Sequence, residues 1–262
     1  MIISLTGFSA LVCGASQGIG LAAAKALASA GADVTLVARN VHKLEDTLSQ
    51  LDTSHGQKHV FLSIDLSKTG QALETVTQHL NRNPGFHILV NNAGGPPPGA
   101  IVDASSDDFL QAIQTHLLTS HGLVKLVLPF MKQHGYGRII NVISTSVKVP
   151  IAGLGVSNTT RAAMAGWSKT LALEVASFGI TVNNVLPGFT QTPRLDSLIE
   201  TRASNAGIST LEYADKLREA IPAKRFGQPE EPASLIAFLA SPHAGYINGA
   251  NIPVDGGNTG AF

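Results

Sequence analysis

The stretch Cys13-Gly14-Ala15-Ser16-Gln17-Gly18-Ile19-Gly20 constrains this chain more than any other. An apolar run, Ala10-Leu11-Val12-Cys13, precedes it and reads as a strand. Leu21 to Ala30, rich in alanine and leucine, follows it and reads as a helix. A glycine motif carries meaning in that setting of strand, turn and helix. Residues without a Cβ let the backbone turn sharply and let a ligand approach it closely. The helix that starts there presents free N–H groups and the positive end of its dipole. Together these form a site for a phosphate or pyrophosphate, walled by Gly14, Ser16, Gln17, Gly18, Ile19 and Gly20.

The same alternation continues along the chain. Apolar runs at Asp33–Ala38, His59–Asp65, Phe86–Val90, Arg138–Ile143, Thr181–Leu186 and Ala250–Val254 read as strands. Val41–Leu51, Thr69–Asn83, Asp107 to about His134, Ser157–Ser177 and Pro229–Ala240 read as helices. Strand and helix alternating at a period of roughly 30 residues means βαβ units. Strands that are apolar throughout belong to a parallel sheet covered on both faces. The expectation is one α/β domain over residues 1–262, a doubly wound parallel sheet of Rossmann type. Arg194 to Ile221 reads as two helical pieces parted near Gly207, with Leu195, Leu198, Ile199, Leu211, Leu217 and Ile221 among charges. That pattern suits an amphipathic lid over about 194–222.

Composition excludes several roles. A formal net charge of zero argues against nucleic acid as a partner. Cys13 is the only cysteine, so no intramolecular disulfide forms, which fits a reducing compartment. Met1 to Thr6 lacks a basic segment before an apolar run, and Gly122 to Met131 is short and broken by Lys125 and Pro129. Neither reads as a signal peptide or a membrane span, so a cytoplasmic protein with no membrane contact is expected. The histidines show no metal-ligand spacing; His116 and His121 are five apart and do not share a helix face. No metal is expected.

Open α/β sheets bind ligands at the carboxyl ends of their strands. The second strand ends in Ala38, followed by Arg39 and Asn40, with no carboxylate. An acid there would bond the free 2′-hydroxyl of NAD, whereas an arginine accommodates the 2′-phosphate of NADP; the residues favour NADP(H). The other strands deliver Asp65-Leu66, Asn91-Asn92-Ala93-Gly94, Ser144-Thr145-Ser146 and Pro187-Gly188-Phe189-Thr190-Gln191-Thr192 to the same edge. Pro96, Pro97 and Pro98 stiffen the loop after Gly94.

The order and spacing of these segments resemble the short-chain dehydrogenase/reductase family, and among it the β-ketoacyl-carrier-protein reductase-like members. The resemblance implies that Gly14-x3-Gly18-x-Gly20 is a cofactor phosphate loop, with Cys13 in place of the usual threonine. It implies that Asp65 and Leu66 meet the adenine, that Asn92, Ala93 and Gly94 line the cofactor, and that Pro187, Gly188, Thr190 and Thr192 form the nicotinamide-side turn. Arg225 to Glu231 and Val254-Asp255-Gly256-Gly257 are similar to the family's closing segments. Ser144 falls at the catalytic serine. The family's Tyr-x3-Lys begins thirteen residues later, where this chain has Ser157 and Arg161; the family's asparagine on the preceding helix aligns with His116. Of four catalytic positions only Ser144 is retained.

Hydride transfer to a carbonyl needs a proton for the oxygen. In the family a tyrosine supplies it, its pKa drawn down from about 10 by the lysine. Serine is a far weaker acid and arginine stays charged. Two accounts follow. In one, a carbonyl reductase has a rebuilt proton route: His116, with an ordinary pKa of about 6.5, is the acid, Ser144 and Ser157 orient the carbonyl or relay the proton, and Arg161 holds the cofactor ribose or polarises the oxygen. In the other, the chain binds NADP(H) as a sensor or scaffold. Ser157 also reads as the N-cap of its helix, and Lys148 as a solvated loop residue. The apolar lid admits an acyl chain, a steroid or a small aromatic ketone. A substrate on acyl carrier protein would call for a basic patch, which Arg194, Arg202, Lys216, Arg218, Lys224 and Arg225 could supply. The resemblance further implies a homodimer or homotetramer built through the two long helices.

Overall fold

The apolar runs form one seven-stranded parallel sheet in the computed structural model, which describes residues 2–260; Met1, Ala261 and Phe262 lie outside the described residues. The strands are β1 (Ser9–Cys13), β2 (Asp33–Ala38), β3 (Val60–Ser63), β4 (Ile88–Asn91), β5 (Gly137–Val142), β6 (Ile180–Pro187) and β7 (Asn251–Val254). Their order is β3-β2-β1-β4-β5-β6-β7. The order reverses between β1 and β4, which places a crevice at the carboxyl ends of those two strands.

Period-two alternation divides the strands between two cores. Ala10 and Val12 face one layer, packed with Ala23 and Leu27 of α1 (Gly18–Ser29) and Ile236 and Leu239 of α9 (Glu230–Ala240). Leu11 and Cys13 face the other. There they meet Val76 of α3 (Thr69–Leu80), Val127 and Met131 of α5 (Thr119–His134) and Val175 of α6 (Gly155–Val175). α2 (Val41–Ser49) covers β2 and β3. The lid forms as two helices, α7 (Pro193–Ala206) and α8 (Thr210–Ala220), parted at Gly207. Their apolar residues Leu195, Leu198, Ile199 and Ile221 cluster with Phe226 and Phe189.

Two helices depart from the sequence expectation. The expected helix from Asp107 to His134 is α4 (Ser106–Ile113), then a π-helical stretch at Gln114–Leu118, then α5. The Thr119 hydroxyl lies 2.9 Å from the Leu66 carbonyl and 3.0 Å from the Gln114 carbonyl. This anchor holds one wide turn and rotates His116 into the interior, where it is 5% exposed. α6 starts at Gly155, two residues earlier than expected. A short parallel bridge joins Gly99 to Leu154, and the Gly155 N–H bonds the Gly99 carbonyl at 3.3 Å. A Cβ on Gly155 would stand 2.5 Å from Ile101 Cβ, so only glycine allows this approach. Ser157 is therefore inside the first turn and not the N-cap. Leu154 holds that position and offers no side-chain bond.

One feature of the carboxyl edge is invisible to the pattern of apolar runs. Asn91, Asn141, Asn184 and Asn251 stand opposite one another on β4, β5, β6 and β7. Each amide donates to the next: Asn91 to Asn141 at 2.8 Å, Asn141 to Asn184 at 2.9 Å, Asn184 to Asn251 at 2.7 Å. Ser168 of α6 ties into the row at Asn184 Oδ1, 2.8 Å. A linked row of amides of this kind, buried at Asn91, Asn141 and Asn184, rigidifies the elements it joins. Here it fixes the strands that carry Ser144 and the Pro187 turn.

Candidate active site

A cleft of about 860 Å³ follows the carboxyl edge from the glycine turn to the lid. Every site residue named from the sequence lines it, with one exception. Gly20 is buried behind the turn. A Cβ there would stand 2.1 Å from the Gly14 carbonyl oxygen, so Gly20 lets α1 pack onto the turn and does not face a ligand. Gly20→Ala should thus act as overpacking, costing about 1–3 kcal/mol; a thermal melt checks it, and an unchanged midpoint would show that α1 can slide.

At the turn, Gly14 and Gly18 adopt positive φ of 61° and 56°. A side chain on Gly14 would strike Asn92, whose Nδ2 bonds the Cys13 carbonyl at 3.3 Å and the Gly14 carbonyl at 3.4 Å. Gln17, before α1, provides no side-chain cap, and the first turn of α1 holds no acid. This end of the helix borders the cleft, where Ser16, Gln17, Gly18 and Ile19 line it. Such an end favours an anion. Cys13 beneath it is a buried thiol pushed up to about 12 by burial, against a weaker pull from Asn92.

At the end of β2, Arg39 is exposed and Asn40 caps α2, accepting the Lys43 N–H at 3.0 Å. Lys43 also lines the cleft, its Nζ 3.1 Å from Gln17 Oε1. The sequence reading missed Lys43. Its signal was the four-residue spacing from Arg39 across a helix start. Asp65 is pushed up by burial, but its bonds from the Ser67 hydroxyl (2.8 Å) and N–H (3.0 Å), with Arg39 and Lys68 nearby, hold it below the usual carboxylate range.

At the opposite end, Ser144 caps a short 3₁₀ turn, its Oγ accepting the Ser146 N–H at 3.1 Å. That leaves its own hydrogen free to donate. Ser157 faces the same space and has no side-chain partner among the described hydrogen bonds. Arg161 is buried; Nη1 donates to the Val142 carbonyl at 3.0 Å, and burial, then the Arg194 cation, bring it down to about 10. It remains a cation at neutral pH. Arg161 Nε and Asn91 Oδ1, a donor and an acceptor, have no protein partner. Both residues line a pocket of about 10 Å³ below the cleft, close to the size one water needs.

His116 does not suit the role of imidazolium acid. Burial and the Arg161 cation push it down to about 2, and the Gly94 carbonyl restores only part of that. The ring is neutral wherever the protein is folded at moderate pH. Lys148 is exposed and away from the cleft, and His121 is exposed, taking the Trp167 Nε1 hydrogen at 3.4 Å. The basic lid residues are partly neutralised in place. Lys216 pairs with Glu212, Arg218 with Asp215 and Arg225 with Glu231. Among the described residues no group of three or more histidines, cysteines or acids comes together to hold a metal, and no helix is long and apolar enough to cross a membrane.

Known proteins share this arrangement over their whole length. The family model described as Enoyl-(Acyl carrier protein) reductase matches residues 14–259. The 3-oxoacyl-[acyl-carrier-protein] reductase FabG of Vibrio cholerae is 36% identical over 256 residues, covering 97% of this chain and 98% of its own. The NADPH-dependent reductase BacG of Bacillus subtilis is 31% identical over 251 residues, 95% of this chain and 97% of its own. Among solved structures, L-sorbose reductase from Gluconobacter frateurii, complexed with NADPH and L-sorbose, superposes with a TM-score of 0.92 at 31% identity over all of both chains. With a family model matching residues 14–259 and relatives at 31–36% identity over nearly the whole length, the chain belongs to the short-chain dehydrogenase/reductase family.

Proposed function

We propose that this protein is an NADP(H)-dependent oxidoreductase that reduces a carbonyl to an alcohol, akin to the 3-oxoacyl reductases, with an atypical proton route. The observation that carries this is the single cleft joining the glycine turn to Ser144, Ser157 and Arg161. The residues present fit the nucleotide. The uncapped end of α1 and the Cβ-free Gly14 and Gly18 suit the pyrophosphate, Asp65 and Leu66 the adenine, Arg39 and Lys43 the 2′-phosphate. Asn92, Ala93, Gly94, Pro187, Gly188, Thr190 and Thr192 wall the nicotinamide side. Bound NADPH would supply a hydride to the carbonyl carbon. The chain's part is to hold and protonate the oxygen: Ser144 and Ser157 donate hydrogen bonds, and Arg161 stabilises the developing charge from a buried position. Neutral His116 braces the Gly94 loop, and the proton reaches the serine hydroxyls from water at the open side of the cleft.

The depressed His116 favours a second reading in part. With no strong acid in the cleft, the chain could hold NADP(H) as a sensor or scaffold. NADPH oxidation over a panel of ketones and β-ketoacyl thioesters separates the two, since a sensor binds tightly and turns nothing over. Pairing of the lid's cations with acids supports a free small molecule over one carried on acyl carrier protein. Exposed Leu110, Leu118 and Leu173 on the stretch from α4 to α6, with Phe178 in the turn just after α6, support a homodimer or homotetramer through these helices. We place the protein in the cytoplasm, where buried Cys13 stays reduced.

Cofactor choice has its own test. Arg39→Ala and Lys43→Ala should each weaken NADPH by about tenfold, the worth of a charged hydrogen bond, and leave NADH unchanged. Fluorescence titration measures both. Equal losses for the two nucleotides would remove the 2′-phosphate from this end of the cleft.

A further inference from the structure

The nicotinamide end of the cleft holds two cations that face each other with no acid between them. Arg161 rises from the floor on α6, and Arg194 comes from the first turn of α7 on the lid side. They converge beside Gly95. From the point where a Cβ would sit on Gly95, Arg194 Nη2 is 3.6 Å away and Arg161 Nη2 is 3.7 Å away. Each guanidinium has one carbonyl partner, Val142 for Arg161 and Pro96 for Arg194, and among the described residues neither forms an ion pair. The two carboxylates lining the cleft are engaged elsewhere: Asp65 by Ser67, Asp108 by Ser105.

Like charges brought together in a partly dry site repel. Arg161 is buried without the acidic partner that buried arginines normally have, and Arg194, exposed on the lid side, also has no acidic partner among the described residues. The repulsion is felt at Arg161, and burial lowers Arg194 as well. An anion between the forks would remove the penalty on both. The groups nearest Gly95, Nη2 of Arg161 and Nη2 and Nε of Arg194, are charged donors of the kind a carboxylate accepts. One wall of this end is apolar, formed by Ile151, Leu154, Leu195 and Leu198, with Ser144 and Ser157 in the same space.

Resting on the reductase reading above, we infer that the carbonyl substrate is an oxo acid: its carboxylate sits between Arg161 and Arg194 beside Gly95, its carbonyl faces Ser144 and Ser157, and its apolar body lies against the lid. Arg194 is then the specificity residue, because it touches the carboxylate and not the reacting carbon.

The test pairs 2-oxo and 3-oxo acids of four to eight carbons with their methyl esters, in NADPH oxidation by the wild type, Arg194→Gln and Arg194→Lys. The expected result is a kcat/KM for one acid series about tenfold or more above its esters. In Arg194→Gln that ratio falls toward one through KM, while ester turnover and NADPH affinity stay within about twofold. Arg194→Lys recovers part of the preference. Esters favoured over acids, or a ratio that survives Arg194→Gln, would overturn the inference. So would an Arg194→Gln defect equal for acids, esters and NADPH, which would assign the arginine to the cofactor. If nothing is turned over, the reductase reading fails separately. Calorimetry of the saturated acids on NADP⁺-loaded protein then decides the anion site: binding lost in Arg194→Gln supports it, and no binding to the wild type removes it.

Discussion

Replacing Arg161 by methionine should raise the melting temperature while removing most of the turnover. The guanidinium is buried, has no acidic partner, and is held down to about 10 from an ordinary 12.5. A shift of that size corresponds to about 3 kcal/mol of unfavourable burial together with repulsion from Arg194, all of which goes with the charge. Methionine fills a similar volume without charge, though it leaves the Val142 carbonyl without its donor, a loss of about 1–2 kcal/mol. The net gain of about 1–2 kcal/mol should lift the midpoint by roughly 2–8 °C. Turnover should fall by about 10²–10³-fold, as when a preorganised donor to an oxyanion is removed. Arg161→Lys keeps the charge and loses the fork, so it should fall between the two. Thermal melts and single-turnover NADPH oxidation, run on the same preparations, measure both sides. A lower midpoint with unchanged turnover would mean that Arg161 is a structural cation and that the oxygen is held elsewhere. Stability and activity moving in opposite directions is the behaviour of a site strained for function.

What the sequence disclosed was what is local or periodic. The alternation of apolar runs and helices fixed the sheet, and the turn residues after each strand lie along the cleft. What it concealed depends on contacts far apart in the chain. The π turn that buries His116 is held by Thr119 against the Leu66 carbonyl, a bond across 53 residues. The early start of α6 follows from the bridge between Gly99 and Leu154. Ser157 looked like a cap because serine is a good one, yet tertiary pairing chose Leu154 instead. The asparagine row needs the register of four strands, and no single run reveals it. Gly20 shows a subtler failure. Its place in a ligand motif is real, but its work is to let two backbone segments touch. His116 was misjudged for the same reason: an ordinary imidazole pKa presumes an exposed ring, and the fold buries this one beside the Arg161 cation.

That displaced histidine makes the protein acid-labile, and His116→Asn should relieve it. In the folded protein His116 titrates at about 2, against 6.5 when exposed. Between those values the unfolded chain binds a proton that the folded chain refuses. Stability from this group is therefore complete above about pH 6.5 and declines as the pH falls toward 2. At pH 5 the loss is about 2 kcal/mol, or roughly 4–8 °C of midpoint. His79 and His87 are also lowered by burial and act in the same direction, so some acid dependence will persist in the variant. The lowered carboxylates Asp65, Asp255 and Glu231 lose their contribution only in a more acid window, as the pH falls below their unfolded values near 4. Melting curves from pH 7 to 4.5 should thus diverge below pH 6.5, with His116→Asn the flatter. The rate gives a second reading of the same residue. A neutral His116 puts no step in kcat between pH 6 and 8, whereas an imidazolium donor would make the rate fall about tenfold per unit above pH 6.5. Such a fall, absent from His116→Asn, would mean that substrate and nucleotide raise the histidine by more than four units on binding. It would restore His116 as the acid.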